Sequence, residues 1–423
     1  MDKLLIKNAS QLITCTSKGG KYGKEAMNDL GLIENGSVYV ESGIIQKIGS
    51  TEKVLKGLDL TDVKIIDAKN QVVTPGFIDS HTHFIFGGYR DDEYLWRLAG
   101  MDYMDIMAKG GGINKSVNQT REASFDSLYA DGLNRLDTFI NFGVTTVEGK
   151  SGYGLEKETE LKQLRVMKAL KDEHPIDIVS TFMGAHSVPE EYKDNVDSFI
   201  DYMINEVMTE VKKENLAKFC DIFCEKGIFS IEHSRRLLSA AKDMGFEVKL
   251  HADEIVSFGG AELAAELKAT SADHLLKASD EGLKAMKEND VVATILPMTA
   301  FSLQEDYARA RHIIDEGGIL ALASDFNPGS CHTQSIPLLM TLATIKMKMT
   351  VEETINALTI NAAKALGIEA SVGSLEVGKK ADFIIHKYPT YNFLAYHIGV
   401  STVEKVIKNG KLILDKKECQ VNR

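Results

Sequence analysis

His81 and His83 stand one residue apart at the end of the stretch Gly76-Phe77-Ile78-Asp79-Ser80-His81-Thr82-His83. In an extended backbone, residues i and i+2 project to the same face. Both imidazoles therefore point one way at the end of a short apolar run. Neutral imidazole is the commonest protein ligand for divalent metals such as zinc or iron. An isolated His-x-His is as readily a pair of surface histidines, but ligand-type residues recur at the ends of later apolar runs. These are Glu148 and Lys150, His186, Glu225, His251 and Glu254, His274, and Asp325. Of them, His251 and Asp325 join His81 and His83 to give three nitrogens and one carboxylate. That set suits zinc or ferrous iron with a further position open to water. A metal there lowers the pKa of its water to about 7.

Glu254, just past His251, is spaced to take a proton from attacking water and return it to a leaving nitrogen. Its bland alternative is an acid stabilised at a helix N-terminus. His274 is a candidate to orient the nucleophile or polarise the scissile carbonyl, and His186 to hydrogen-bond the same oxygen. Gly87-Gly88-Tyr89-Arg90 follows the first run directly, and an arginine there is placed to hold a carboxylate bidentately. Ser151-Gly152-Tyr153-Gly154 brings the Tyr153 hydroxyl on a similar loop. Ser324 to Ser330, which includes Asn327 and Gly329, reads as a turn rich in free backbone N–H groups, suited to an anionic or amide ligand. The chemistry expected is metal-assisted hydrolysis of a small substrate that carries a carboxylate.

Elements must bring these groups together. Eight strand candidates alternate with amphipathic stretches: Phe77–His83, Val144–Lys150, Ile176–His186, Cys220–Lys226, Phe246–Asp253, Ser271–Leu275, Val291–Leu296 and Ile319–Asp325. The helical patterns include Phe125–Phe142, Glu156–Glu173, Ser198–Asn215, Ile231–Met244 and Ser279–Glu288. Such alternation implies a parallel sheet with right-handed crossovers, and eight units over this length fit a closed α/β barrel. An open doubly wound sheet would call for Gly-x-Gly-x-x-Gly after the first strand, and none is there. Gly110-Gly111-Gly112 reads instead as a flexible active-site loop. Active sites of such barrels lie at the C-terminal strand ends, where the candidate residues fall. His174, His233, His312, His386 and His397 fall elsewhere and read as structural, and His332 is undecided.

Both ends of the chain carry short strand patterns with turn residues between them, and Asn409-Gly410 between apolar runs is a strong hairpin signal. The expected organisation is a (β/α)8 TIM-type barrel over 75–369 with a small β-sandwich-like domain built from 1–74 and 370–423.

At 423 residues, 44% hydrophobic and 26% charged, the composition is that of an ordinary globular chain. Lys plus Arg number 49 against 61 Asp plus Glu, net −12. That balance argues against nucleic acid or an anionic membrane as a bulk partner. The five cysteines are scattered, and Cys220 and Cys224 lack the companions of a zinc site, so buried thiols are expected. No run approaches the roughly 18 apolar residues of a membrane span, and no secretory leader is read at the N-terminus. A cytoplasmic location is expected.

The ordered His-x-His, His, His and Asp at barrel strand ends resembles the amidohydrolase superfamily. The likeness covers essentially the whole chain and is carried by FIDSHTHFIFGGYR, the Gly110–Ile113 loop, VEGKSGYGL, TFMGAHSVPEEY, KLHADEI and SDFNPGSCHTQSIPLLM. It is greatest to the members that open the ring amide of 4-imidazolone-5-propanoate, giving N-formimidoyl-L-glutamate in histidine breakdown. A hydantoinase-like cyclic-amide or N-acyl hydrolase on the same scaffold is the alternative. The resemblance implies one divalent metal, zinc or iron, on His81, His83, His251 and Asp325. It implies Glu254 as the water-activating acid, with His274 beside it. Its substrate contacts fall on Arg90, Tyr153, His186, Asn327, Gly329 and Ser330, and it implies a homodimer. Ser80, where relatives often carry proline, and Met298, where a smaller residue is expected, depart from the pattern.

Overall fold

Two sheets carry the fold in the computed structural model, which describes residues 2–101, 105 and 109–417. Cys419 lies outside the described residues. In chain order, β1 (Lys3–Leu12), β2 (Ile33–Glu41), β3 (Ile44–Ser50), β4 (Val63–Asp67) and β5 (Val72–Pro75) come first. The barrel strands follow: β6 (Phe77–Asp79), β7 (Val144–Lys150), β8 (Asp177–Ala185), β9 (Phe219–Cys224), β10 (Glu247–Ala252), β11 (Ser271–His274), β12 (Val292–Ile295) and β13 (Leu320–Leu322). The chain returns through β14 (Phe383–His386), β15 (Val403–Lys408) and β16 (Lys411–Asp415) to the first sheet.

That first sheet is mixed, in the order β16-β15-β14-β5-β1-β2-β3, with β4 also paired to β1. Its seam joins the two ends of the chain: Phe383, Ile384 and Ile385 pair with Pro75, Thr74 and Val73. The hairpin between β15 and β16 forms at Asn409-Gly410, whose φ values of 48° and 73° suit a primed turn. The strand β5 escapes a pattern reading because it is four residues long and ends in proline. It leads through Gly76 straight into the barrel. A Cβ at Gly76 would meet Thr145 Oγ1 at 2.2 Å, so the crossing between the sheets needs glycine.

The eight barrel strands are parallel and follow one another in chain order. The ring closes where Thr82 bridges Phe326: His83 N–H donates to Phe326 O at 2.8 Å, and Asp325 N–H to His81 O at 3.0 Å. The first strand is therefore shorter than the expected Phe77–His83. Beyond Asp79 the main chain turns its hydrogen bonds onto the end of the eighth strand, aided by Ser324 N–H donating to Asp79 Oδ1 at 3.0 Å. This closure sets His81 and His83 at the C-terminal mouth.

The helices begin where capping residues place them. Ser124, Glu156, Ser230 and Ser279 each accept from backbone N–H groups of the first turn, a contact worth about 1 kcal/mol. The stretch expected as one helix over 198–215 is α-helical at Val196–Tyr202, a π-helix at Met203–Met208 and α-helical again to Lys213. Cys15, Cys220, Cys224 and Cys331 are buried and free. Met298 is buried in the main core. Among the described residues, no helix is long and apolar enough to cross a membrane.

Candidate active site

The ends of the first, fifth, sixth and eighth barrel strands converge at the mouth on His81. The ligand atoms of His81, His83 and His251 lie within 4.8 Å of one another, and so do those of His81, His274 and Asp325. His81 Nε2 is 3.4 Å from Asp325 Oδ1, and His83 Nε2 is 3.9 Å from the same oxygen. All of these side chains are buried. Burial first, then Lys150 and the neighbouring imidazoles, holds His81 and His251 well below the usual histidine range; burial and His186 do so for His83. These are neutral rings with free lone pairs. His81 Nε2, His83 Nδ1 and both nitrogens of His251 lack a hydrogen-bond partner, a costly arrangement unless a cation completes it. The donor set thus fits a divalent metal.

Local backbone supports the cluster. Asp325 has φ 51° and His274 φ 76°, left-handed values that non-glycine residues hold only where the surroundings enforce them. Thr299 Oγ1 donates to Asp325 Oδ2 at 2.6 Å. Burial pushes the Asp325 carboxyl up to about 7, against the hydrogen bond from Thr299.

Around this centre stand the other candidates. Glu254 Oε1 is 3.4 Å from His274 Nδ1. Burial, then Asp325 and Glu225, pushes the Glu254 carboxyl up to about 8, the range of a base near neutral pH. Burial lowers His274 and His186 to about 4 each, so both are neutral. The His186 ring stacks on His83 with centroids 4.8 Å apart, and its Nδ1 is 3.1 Å from Gly152 O. Carboxylates and carbonyls only accept, so Nδ1 carries the proton and Nε2 is the free acceptor. Tyr153 is buried, with its ring 5.4 Å from His186 and 5.8 Å from His83. Its hydroxyl is raised above the ordinary tyrosine range by burial.

Two expectations about the mouth loops are corrected. The turn after the eighth strand does not offer free N–H groups, because Asn327 Oδ1 accepts from Gly329 and Ser330 N–H at 2.8 Å each. Asn327 Nδ2 in turn donates to Asp325 O at 2.7 Å and Ser330 Oγ at 2.8 Å. Asn327, Gly329 and Ser330 are thus a self-tied unit that shapes one wall. Arg90, expected as a two-pronged clamp, already spends Nε and Nη2 on Glu93 Oε2, at 2.9 and 2.7 Å. The other side of its guanidinium, Nη1, lies against Gly329, where a Cβ would approach to 2.1 Å. Glu93 Oε1 accepts Gly112 N–H at 3.1 Å, which ties the expected flexible glycine loop to the arginine.

Below the histidines, five charges fill the barrel interior. Lys150 Nζ reaches Asp221 Oδ2 at 2.6 Å, Glu148 Oε1 at 3.2 Å and Asp273 Oδ2 at 3.4 Å. Lys249 Nζ reaches Glu148 Oε2 at 2.7 Å and Ser80 O at 2.9 Å. Glu148 and Lys150, read as mouth groups, therefore belong to this floor. Local pattern does not single out Asp221, Lys249 and Asp273, because their inward direction depends on closure of the barrel across strands. From the sequence, Glu225 is expected only as a strand-end acid. It is buried and accepts Ile255 N–H at 2.9 Å and Val256 N–H at 3.3 Å, gripping the main chain just after Glu254.

A model of the amidohydrolase family matches residues 72–413. The imidazolonepropionase of Clostridium tetani (strain Massachusetts / E88) is 58% identical over 413 residues, 98% of each chain. That of Parabacteroides distasonis is 56% identical over 412 residues, 97% of this chain and 99% of the relative. Among solved structures, a zinc-bound adenosine deaminase from Xanthomonas campestris superposes with a TM-score of 0.72 at 16% identity, covering 99% of this chain and 94% of its own. At that identity the likeness speaks for the fold.

Proposed function

The chain belongs to the amidohydrolase family, and on that premise we propose that it hydrolyses the ring amide of 4-imidazolone-5-propanoate to N-formimidoyl-L-glutamate, in L-histidine degradation. The observation that carries this reading is the near-full-length identity of 58% and 56% to two imidazolonepropionases. A hydantoinase-like hydrolase is not favoured, since such identity over whole chains accompanies the ring-opening name.

Atoms balance as a hydrolysis. Water adds its oxygen to the ring carbonyl carbon, the carbon–nitrogen bond breaks, and the nitrogen leaves with a proton. His81, His83, His251 and Asp325 would hold a divalent metal, which when bound would supply Lewis acidity and lower the pKa of water. Glu254 accepts the water's proton and returns it to the departing nitrogen, a reading supported by its raised pKa of about 8 and its place beside His274. His274 orients that carboxylate. The free Nε2 of His186 and the Tyr153 hydroxyl face the imidazolone. Arg90, through the side of its guanidinium turned to Gly329, attracts the propionate, and Asn327 and Ser330 form the wall beside it.

Zinc and ferrous iron both suit this ligand set. The reading extends to a homodimer, checked by light scattering, and to the cytoplasm, in keeping with four buried free thiols. The net charge of −12 supports a small-molecule substrate over nucleic acid or an anionic membrane.

The test is direct turnover. Metal-replete protein mixed with fresh 4-imidazolone-5-propanoate is expected to remove its ultraviolet absorbance and yield N-formimidoyl-L-glutamate by mass. No conversion by protein shown to hold metal would discard the substrate.

A further inference from the structure

We infer that Asp273 and Asp221, braced by Lys150 and Lys249, are positioning residues that fix which ring nitrogen His81 and His251 turn toward the metal; the inference rests on the ligand assignment proposed above. The interior of a (β/α)8 barrel is ordinarily filled by layers of branched apolar side chains. Here β7, β9, β10 and β11 each send charges into it, and Glu148, Lys150, Asp221, Lys249 and Asp273 are all 0% exposed. Burying charges is costly and is tolerated only where pairing is close and complete. Apolar residues of similar volume would fill the space more cheaply, so the charges have a task besides packing.

Their contacts name that task. His81 Nδ1 is 2.6 Å from Asp273 Oδ2. A carboxylate only accepts, so the proton sits on Nδ1 and the Nε2 lone pair faces Asp325 Oδ1, 3.4 Å away. Asp221 holds His251 from two sides: Oδ1 accepts His251 N–H at 3.2 Å, and Oδ2 lies 3.1 Å from Nδ1 without full hydrogen-bond alignment. Asp273 thereby leaves His81 Nε2 free toward Asp325, and Asp221 flanks the Nδ1 side of His251, leaving Nε2 as the nitrogen away from the carboxylate. Each aspartate is itself fixed. Lys150 bridges Asp221 at 2.6 Å and Asp273 at 3.4 Å, and Ser271 Oγ donates to Asp273 Oδ1 at 2.6 Å. Lys249 reaches Asp273 at 3.6 Å and anchors Glu148. One lysine thus couples the orientation of two adjacent rings, whose centroids are 4.6 Å apart, a carboxylate–histidine–metal arrangement doubled and tied beneath.

The experiment uses the full-length protein loaded with zinc, and separately with cobalt(II) as a spectroscopic probe. Metal release into excess chelator and the cobalt visible band are followed in wild type, Asp273→Asn, Asp221→Asn and Ser271→Ala. An amide at 273 can donate to His81 Nδ1 and favour the opposite tautomer. Metal retention is expected to weaken about 10- to 100-fold in both aspartate variants, with a displaced cobalt band. Ser271→Ala keeps the carboxylate and all charges. It guards against a variant that fails to fold, and a smaller change in the same direction is expected. Release within twofold of wild type and an unmoved cobalt band in Ser271→Ala and in either folded aspartate variant would overturn the inference, even if melting temperatures fell, since that is the signature of a brace alone. Wild-type protein that holds no metal would instead sink the ligand assignment itself.

Discussion

Thr299 Oγ1 donates to Asp325 Oδ2 at 2.6 Å, which commits one oxygen of the carboxylate and leaves Oδ1 turned to His81 and His83. Thr299 lies in the first turn of the helix Pro297–Leu303 that follows the seventh strand, so this neighbouring unit aims the acid of the eighth. Thr299→Val keeps the shape and removes the donor. Turnover is expected to fall roughly 10-fold or more with the fold intact, and Thr299→Ser to recover most of it. Steady-state kinetics with melting curves checks this; equal loss in Thr299→Ser would assign the effect to packing.

The grip of Glu225 on Ile255 and Val256 makes a different prediction. Ile255 and Val256 are exposed, so their side chains add little to holding the segment after Glu254. Glu225→Gln can accept through one oxygen only and removes a like charge facing Glu254. A lower kcat is expected together with an acid limb of the pH profile moved toward lower pH. A lower kcat with an unmoved limb would leave Glu225 a purely mechanical tether.

The role proposed for Glu254 sets the sign of the expected pH dependence. Its carboxyl, raised to about 8, is protonated below that value and cannot accept a proton there. Activity is therefore expected to rise with pH through the acid limb. A bound cation favours the ionised form and draws the midpoint below 8. Glu254→Gln is expected to keep metal and lose about 10²–10⁴-fold in turnover. A pH–rate series on wild type and variant checks both; near-normal turnover in Glu254→Gln would move the proton to His274.

Gly329 and Arg90 give a steric test of substrate binding. A methyl at Gly329 would enter the space of Arg90 Nη1, at 2.1 Å, and the guanidinium, at the end of a flexible chain, is what gives way. Gly329→Ala is expected to raise KM with little change in melting temperature. Arg90→Ala is expected to do so more strongly, by about 2–5 kcal/mol in apparent binding. Unchanged KM in Arg90→Ala would remove the arginine from substrate recognition.

What the chain discloses by pattern and what it hides divide along physical lines. The alternation of apolar runs and amphipathic stretches shows the barrel, because each strand and helix announces its period locally. His81, His83, His251 and Asp325 are visible because ligand residue types recur where runs end. Hidden are the relations across strands. Asp273 and Lys249 each look like a solvent-facing position, yet closure of the sheet on itself turns both inward. Arg90 looks free until the helix Asp91–Leu98 brings Glu93 back onto it. The turn at Asn327 looks rich in donors until one side-chain oxygen takes the N–H groups of Gly329 and Ser330. The first strand stops at Asp79 because its continuation bonds to Phe326, a partner far along the chain.

In the proposed reaction, water is added at the ring carbonyl carbon and the adjacent carbon–nitrogen bond is broken. Turnover of 4-imidazolone-5-propanoate in ¹⁸O-water, with the product fragmented in a mass spectrometer, tests it most directly. One ¹⁸O is predicted in the newly formed carboxylate and none in the formimidoyl group. Label on the carbon between the two ring nitrogens, or a product that has lost ammonia, would contradict the account.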